Sequence, residues 1–195
     1  MKEIKYFLPE FFYVAEVEDH QQIKDSLYPQ IQKLKGDLKS PWTLCNAKSS
    51  YELDVRTEIN DFLYEEKLFT DALWKAYDDL LTEPLIRNSY DFQYPKESTV
   101  NLWFNVYEKG SYQEIHNHIH PGDCYFSSVY LLHDESDTGL CFRSDNRDIV
   151  RYSSSTTMQP QLTEGHLVIF PAYFDHYVLP ATGDRITITG NIQSS

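Results

Sequence analysis

The sequence predicts a mainly β protein in which helices pack against a β-sandwich or barrel. Beyond residue 97, short runs rich in β-branched and aromatic residues recur between turn signals. Before it, two segments repeat apolar residues at three- and four-residue steps. The 195 residues also include 15 Tyr, 11 Phe and 3 Trp against 9 Pro and 7 Gly, a composition that favours sheet over disorder. The length suits a single domain over 1–195. Within it, 1–96 reads as helical support with a strand lead-in, and 97–195 as the β core.

Residues 6–17 alternate loosely in Phe, Tyr and Val and read as a strand or extended lead-in. Asp19 is placed to cap a helix with Ile23, Leu27, Ile31 and Leu34 on one face, ending at Gly36. Pro29 falls inside it and should kink the helix or delay its start. Residues 40–50, with Pro41 and Trp42, read as a loop or as a short strand with loops. The spacing predicts one long helix over 57–81. Ile59, Phe62, Leu63, Phe69, Leu73, Ala76, Tyr77 and Leu80 form its apolar stripe, and Pro84 ends it. Its acidic stripe reads as a solvated face, because the glycine and spaced carboxylates of a calcium loop are absent. Strands follow at 99–107, 127–132, 140–143, 166–170 and 185–192, separated by turns such as Lys109-Gly110, Pro121-Gly122, Thr138-Gly139 and Glu164-Gly165. Residues 145–163 are polar and serine-rich and read as a long surface loop, suited to act as a lid.

The net charge of −13 argues against nucleic acid as a partner, since a polyanion meets repulsion over most of the surface. No apolar window is long enough to span a membrane, and the N-terminal stretch lacks a signal-peptide pattern. Cys45, Cys124 and Cys141 are an odd, widely spaced set without a CxxC pair, which reads as reduced thiols in a cytoplasmic protein. Aromatic-rich edges suit a homodimer.

The chemistry concentrates in histidine. His116, His118 and His120 recur at period two, so an extended chain presents all three on one face, and His133 follows soon after. Imidazole is the commonest metal ligand at neutral pH, yet one strand cannot close a mononuclear site alone. His176, after a strand ending Phe170-Pro171, is the best further ligand. Arg185 and Thr187 share a strand face, so a guanidinium and a hydroxyl point together, as recognition of a carboxylate requires. Asn105 shares a face with Trp103 and Tyr107 and is a candidate substrate contact with Trp103. His20, His133 and His166 fall outside the pattern and are expected near the surface.

The run Trp103-Phe-Asn-Val-Tyr107 with Gly110, then Gln113-Glu-Ile-His116-Asn-His118, then Ser127-Ser-Val-Tyr130, resembles the iron(II)/2-oxoglutarate oxygenases. Gly165-His-Leu-Val-Ile-Phe-Pro171, His176, Arg185-Ile-Thr187 and Asn191 continue the resemblance, which is closest to small oxygenases of this type in bacteria and phages. It implies a double-stranded β-helix, or jelly roll, with Fe(II) as cofactor and 2-oxoglutarate as cosubstrate. It also implies that Arg185, Thr187, Tyr107 and Tyr130 surround the cosubstrate. The wider superfamily uses His-x-Asp/Glu…His, whereas this chain has His-x-His, which leaves the site one unit more positive. Two registers stay open, His116/His118 and His118/His120, each with His176; Asp123 supplies a carboxylate if its turn folds inward. The substrate is then a small molecule or a protein side chain. The rival readings are a three-His cupin-like dioxygenase that needs no oxoacid, and a non-catalytic jelly-roll binding protein.

Overall fold

Side chains alternate across a strand, and this period of two decides what each residue of the main sheet faces. In the computed structural model, which describes residues 10–51, 57–84, 86, 98–119, 124–144 and 156–194, the described strands form two antiparallel sheets. They are β1 (Tyr13–Glu16), β2 (Lys48–Ser49), β3 (Ser98–Tyr107), β4 (Gln113–His116), β5 (Cys124–Asp134), β6 (Leu140–Ser144), β7 (Thr156–Met158), β8 (His166–Pro171), β9 (His176–Val178) and β10 (Arg185–Ser194). The larger sheet runs β1-β8-β5-β10-β3-β2 and the smaller β4-β9-β6-β7.

One face of the larger sheet carries Leu102, Phe104, Tyr130, Leu132, Ile186 and Ile188, packed against α1 (His20–Leu34) and α3 (Lys67–Thr82). Ile23, Leu27 and Ile31 of α1 are fully buried there, and each such side chain stabilises the fold by about 1.5–3 kcal/mol. The opposite face turns Tyr107, Val129, Leu131, Val168 and Phe170 towards Leu140, Phe142 and Val178 of the smaller sheet, forming a second core. The mainly β, helix-flanked architecture follows the expectation from sequence.

Several local expectations need correction. The helix over 57–81 is broken: a 3-10 turn (Glu58–Asn60) leads into α2 (Asp61–Glu65), and Glu66 sits at φ −74° and ψ 94° before α3 begins. Asp19 stands at the start of α1, but its carboxylate accepts from the Gln22 side chain at 3.1 Å instead of capping a backbone N–H. Pro29 does not delay the start of α1, which begins at His20 and continues past it to Leu34. The expected loop over 145–163 contains β7, paired with β6; its stretch 145–155 lies outside the described residues.

Candidate active site

β4 and β9 are neighbours in the smaller sheet, and their pairing sets His116 directly opposite His176. His118 lies two residues further, held by its backbone N–H donating to Ala172 O at 2.7 Å. The three rings converge, with centroids 4.2 Å apart for His116 and His176, 5.0 Å for His118 and His176, and 5.4 Å for His116 and His118. One potential ligand atom from each lies within 4.8 Å of the other two.

Each ring is also oriented from behind. His116 Nδ1 donates to Glu114 O at 2.8 Å, His176 Nδ1 to Phe174 O at 2.9 Å, and His118 Nδ1 to Asn191 Oδ1 at 2.6 Å. Acceptors at Nδ1 select the tautomer that leaves Nε2 with the lone pair, the usual arrangement behind a metal-binding histidine. Burial holds His176 well below the ordinary imidazole range, reinforced by His116 and His118, and burial also lowers His116. Neutral imidazoles are the state a metal ion requires, and three of them suit iron, zinc, nickel or copper. Trp103 stacks on His118 at 5.8 Å and Trp42 on His116 at 6.4 Å.

The triad opens into a cavity of about 710 Å³ whose wall includes Trp42, Trp103, Tyr107, Thr187 and Arg185. Arg185 is paired across β10 and β3 with Tyr107, so both point into this space. Its guanidinium is buried and already engaged. Nε donates to Asp134 Oδ1 at 2.9 Å, Nη2 to Asp134 Oδ2 at 3.2 Å, and Nη2 also to Thr138 O. Tyr107 Oη donates to Gln113 Oε1 at 2.8 Å, and burial pushes its phenol well above the ordinary range.

Residues 101–191, just under half of the chain, match the family described as "Putative 2OG-Fe(II) oxygenase". The chain carries a 2OG-Fe(II) oxygenase domain. No curated protein matches it at a significant level. Solved structures share the oxygenase domain's fold together with the N-terminal elements. A prolyl-4-hydroxylase from Pseudomonas putida superposes with a TM-score of 0.58 at 16% identity, covering 95% of this chain and 94% of that one. A prolyl hydroxylase from Trichoplax adhaerens, in complex with a hypoxia inducible factor peptide fragment, gives 0.62 at 12% identity, over 94% and 83%. HygX from Streptomyces hygroscopicus, with nickel, 2-oxoglutarate and hygromycin B bound, gives 0.62 at 12% identity, over 95% and 84%. The fold is therefore the double-stranded β-helix of these enzymes.

Within the oxygenase domain the structure does not bring Tyr130 to the cavity. It pairs with Ile188 on the helix-facing side, where its Oη lies 2.7 Å from His20 Nδ1 and its ring packs on Phe69. Asn105 reaches the cavity wall, but its amide holds the sheet together, donating to Thr189 Oγ1 at 3.0 Å and accepting from Ser49 Oγ at 2.7 Å. His120 and Asp123 lie outside the described residues. His20 and His133 are not surface groups: both are half-buried around Glu164, at 3.1 Å each. His166 accepts the Thr163 N–H at 2.8 Å. Sequence reasoning missed Asp134, which stands behind Arg185, and named Asn191 in the resemblance without giving it a role; its side chain stands behind His118. The parity of β10 also places Asn191 on the same face as Arg185 and Thr187.

Proposed function

We propose that His116, His118 and His176 hold iron(II) in this oxygenase, and that Arg185, with Thr187 and Tyr107 beside it, receives the distal carboxylate of 2-oxoglutarate. The observation that carries this reading is the convergence of three imidazoles on one wall of the cavity that Arg185 also lines. Iron(II) with 2-oxoglutarate supplies the oxidative decarboxylation that couples dioxygen reduction to oxidation of a substrate. The chain's own part is to orient and exclude. Glu114 O, Phe174 O and Asn191 Oδ1 fix the ring planes, so the ligand atoms are set before any metal arrives. Val129, Leu131 and Leu140 give part of the cavity an apolar lining.

Part of the cavity lining is aromatic. Trp42 and Tyr51 stack at 5.7 Å, and Tyr51 meets Trp103 edge-on at 4.9 Å, forming a wall beside His116 and His118. This wall is where the substrate rests, a small molecule or a peptide side chain with an apolar or planar portion. The family match and the solved neighbours support this reading over an oxoacid-free three-His dioxygenase or a non-catalytic jelly roll. Anaerobic titration of 2-oxoglutarate into the iron(II)-loaded protein tests it. A visible charge-transfer band is expected, and its absence counts against the cosubstrate. Arg185→Ala should weaken cosubstrate binding while leaving metal loading intact.

A further inference from the structure

A guanidinium has five N–H donors in a fixed fork. In Arg185 the edge formed by Nε and Nη2 is taken by both oxygens of Asp134, and Nη2 also serves Thr138 O. Among the described contacts only Nη1 is left to meet a ligand. The side chains of Arg185 and Asp134 are 4% and 6% exposed, so the pair is a desolvated, charge-compensated unit inside the cavity wall. Asp134 does not depend on Arg185 for its place. Its Oδ1 also accepts the Ser136 N–H at 3.0 Å, and the turn behind it is tied down by Glu135 N–H donating to Asp184 O at 2.9 Å. The same turn brings Gly139 against the guanidinium, where an added Cβ would lie 3.4 Å from Nη2. Residues 134–139 thus wrap Arg185 from one side, with a carboxylate as the gripping group.

We propose that Asp134 is a resident counter-ion of the cosubstrate anchor. It competes with the distal carboxylate of a 2-oxodicarboxylate for Arg185 and so sets how strongly the cavity prefers such an acid over a 2-oxomonocarboxylate. This rests on the assignment of Arg185 as the anchor. The reasoning is electrostatic. A second carboxylate entering beside a neutral pair gains a hydrogen bond from Nη1 but meets the Asp134 charge, whereas beside an uncompensated buried guanidinium it would meet attraction alone. Asp134 therefore acts through Arg185 as a positioning residue that tunes specificity.

The test is isothermal titration of nickel(II)-loaded protein with 2-oxoglutarate and, separately, with 2-oxobutyrate, which lacks the second carboxylate. Asp134→Asn keeps the shape and removes the charge. It should tighten 2-oxoglutarate by about tenfold, the scale of one charge-assisted hydrogen bond, and leave 2-oxobutyrate unchanged. Asp134→Glu, which keeps the charge, should retain the wild-type preference. A merely structural role would weaken both acids together. Unchanged or weaker 2-oxoglutarate binding in a folded Asp134→Asn protein overturns the proposal. If that variant does not fold, the wild-type protein decides: a preference for the diacid within about tenfold supports the proposal, and a larger one overturns it. Arg185→Ala separates the two levels of the argument. If it binds 2-oxoglutarate as wild type does, the anchor itself is misassigned. If it loses binding while Asp134→Asn gains none, only the role of Asp134 fails.

Discussion

Asn191 Oδ1 accepts from His118 Nδ1 at 2.6 Å and from Ser127 Oγ at 3.2 Å, so one amide in β10 of the larger sheet orients a ring just beyond the end of β4 in the smaller one. Partners of this kind hold a ligand ring in one plane and one tautomer, and losing them costs about 10–100-fold in metal affinity. Asn191→Ala should show that loss in a chelator competition, whereas an affinity equal to wild type would deprive Asn191 of the role. One position earlier, Gly190 is fixed by space. A Cβ there would lie 2.9 Å from both Ser128 Oγ and Val100 Cγ2 and 3.0 Å from Leu102 Cδ2. Gly190→Ala should lower stability by about 1–3 kcal/mol, the usual scale of overpacking, read from a denaturant midpoint. Neither demand was visible in the sequence, because both arise from strands distant along the chain. The faces themselves were legible: Arg185, Thr187, Thr189 and Asn191 are all buried polar groups on one side of β10.

At the scale of elements, α1 is fastened to β5 and β8 by a polar clasp centred on Glu164. Lys24 Nζ and His20 Nε2 donate to its Oε1, while His133 Nδ1 and the Asp134 N–H donate to Oε2 at 3.1 and 3.0 Å. Burial raises the Glu164 carboxyl, but the hydrogen bonds from Lys24, His20 and Asp134 with the Lys24 charge outweigh it, leaving the group at about 2 against an ordinary 4.5. A carboxylate lowered on folding contributes stability that is fully present above 4.5 and lost as pH falls through about 2. Glu164→Gln should therefore be destabilised near neutrality, with the gap to wild type closing between pH 4.5 and 2 in melting temperatures. A gap that stays constant over that window would remove Glu164 from the acid response. The strands of this core were readable from β-branched and aromatic alternation; the exceptions have local causes. Glu66 breaks the long helix without Pro or Gly to announce it, since apolar periodicity continues across the break. Between Ile186 and Thr187 the β10–β5 register slips by one, passing over Leu132. That bulge sets Asp134 opposite Arg185, and parity counting along β5 cannot foresee it. Tyr130 escaped for a related reason, because its neighbours on both sides are apolar and do not mark which face is the cavity.

For the whole molecule, the order His-x-His, Phe-Pro, His, Arg-x-Thr was legible because each piece sits at a strand end or on one strand face, and closing two sheets over one another brings those positions to a single cavity. The same closure makes the triad a mechanical link. His116 and His176 belong to adjacent strands of the smaller sheet, His118 extends beyond β4, and Asn191 behind it belongs to the larger sheet. Any ion held by the three rings therefore ties β4 to β9 and presses both towards β10. A ligand that binds only the folded state stabilises it by mass action, by about 2.7 kcal/mol at a hundred times its dissociation constant. For a chain of this size that corresponds to a rise of about 5–10 °C in melting temperature. Nickel(II) or anaerobic iron(II) should produce the rise and a chelator should reverse it, while His176→Ala should melt at one temperature with or without the metal. Hydrogen exchange locates the effect: protection should increase in β4 and β9 on loading, and α1 and α3, which pack on the far side of the larger sheet, should respond least. An equal rise in His176→Ala, or new protection confined to the helices, would place the ion somewhere other than between these three histidines.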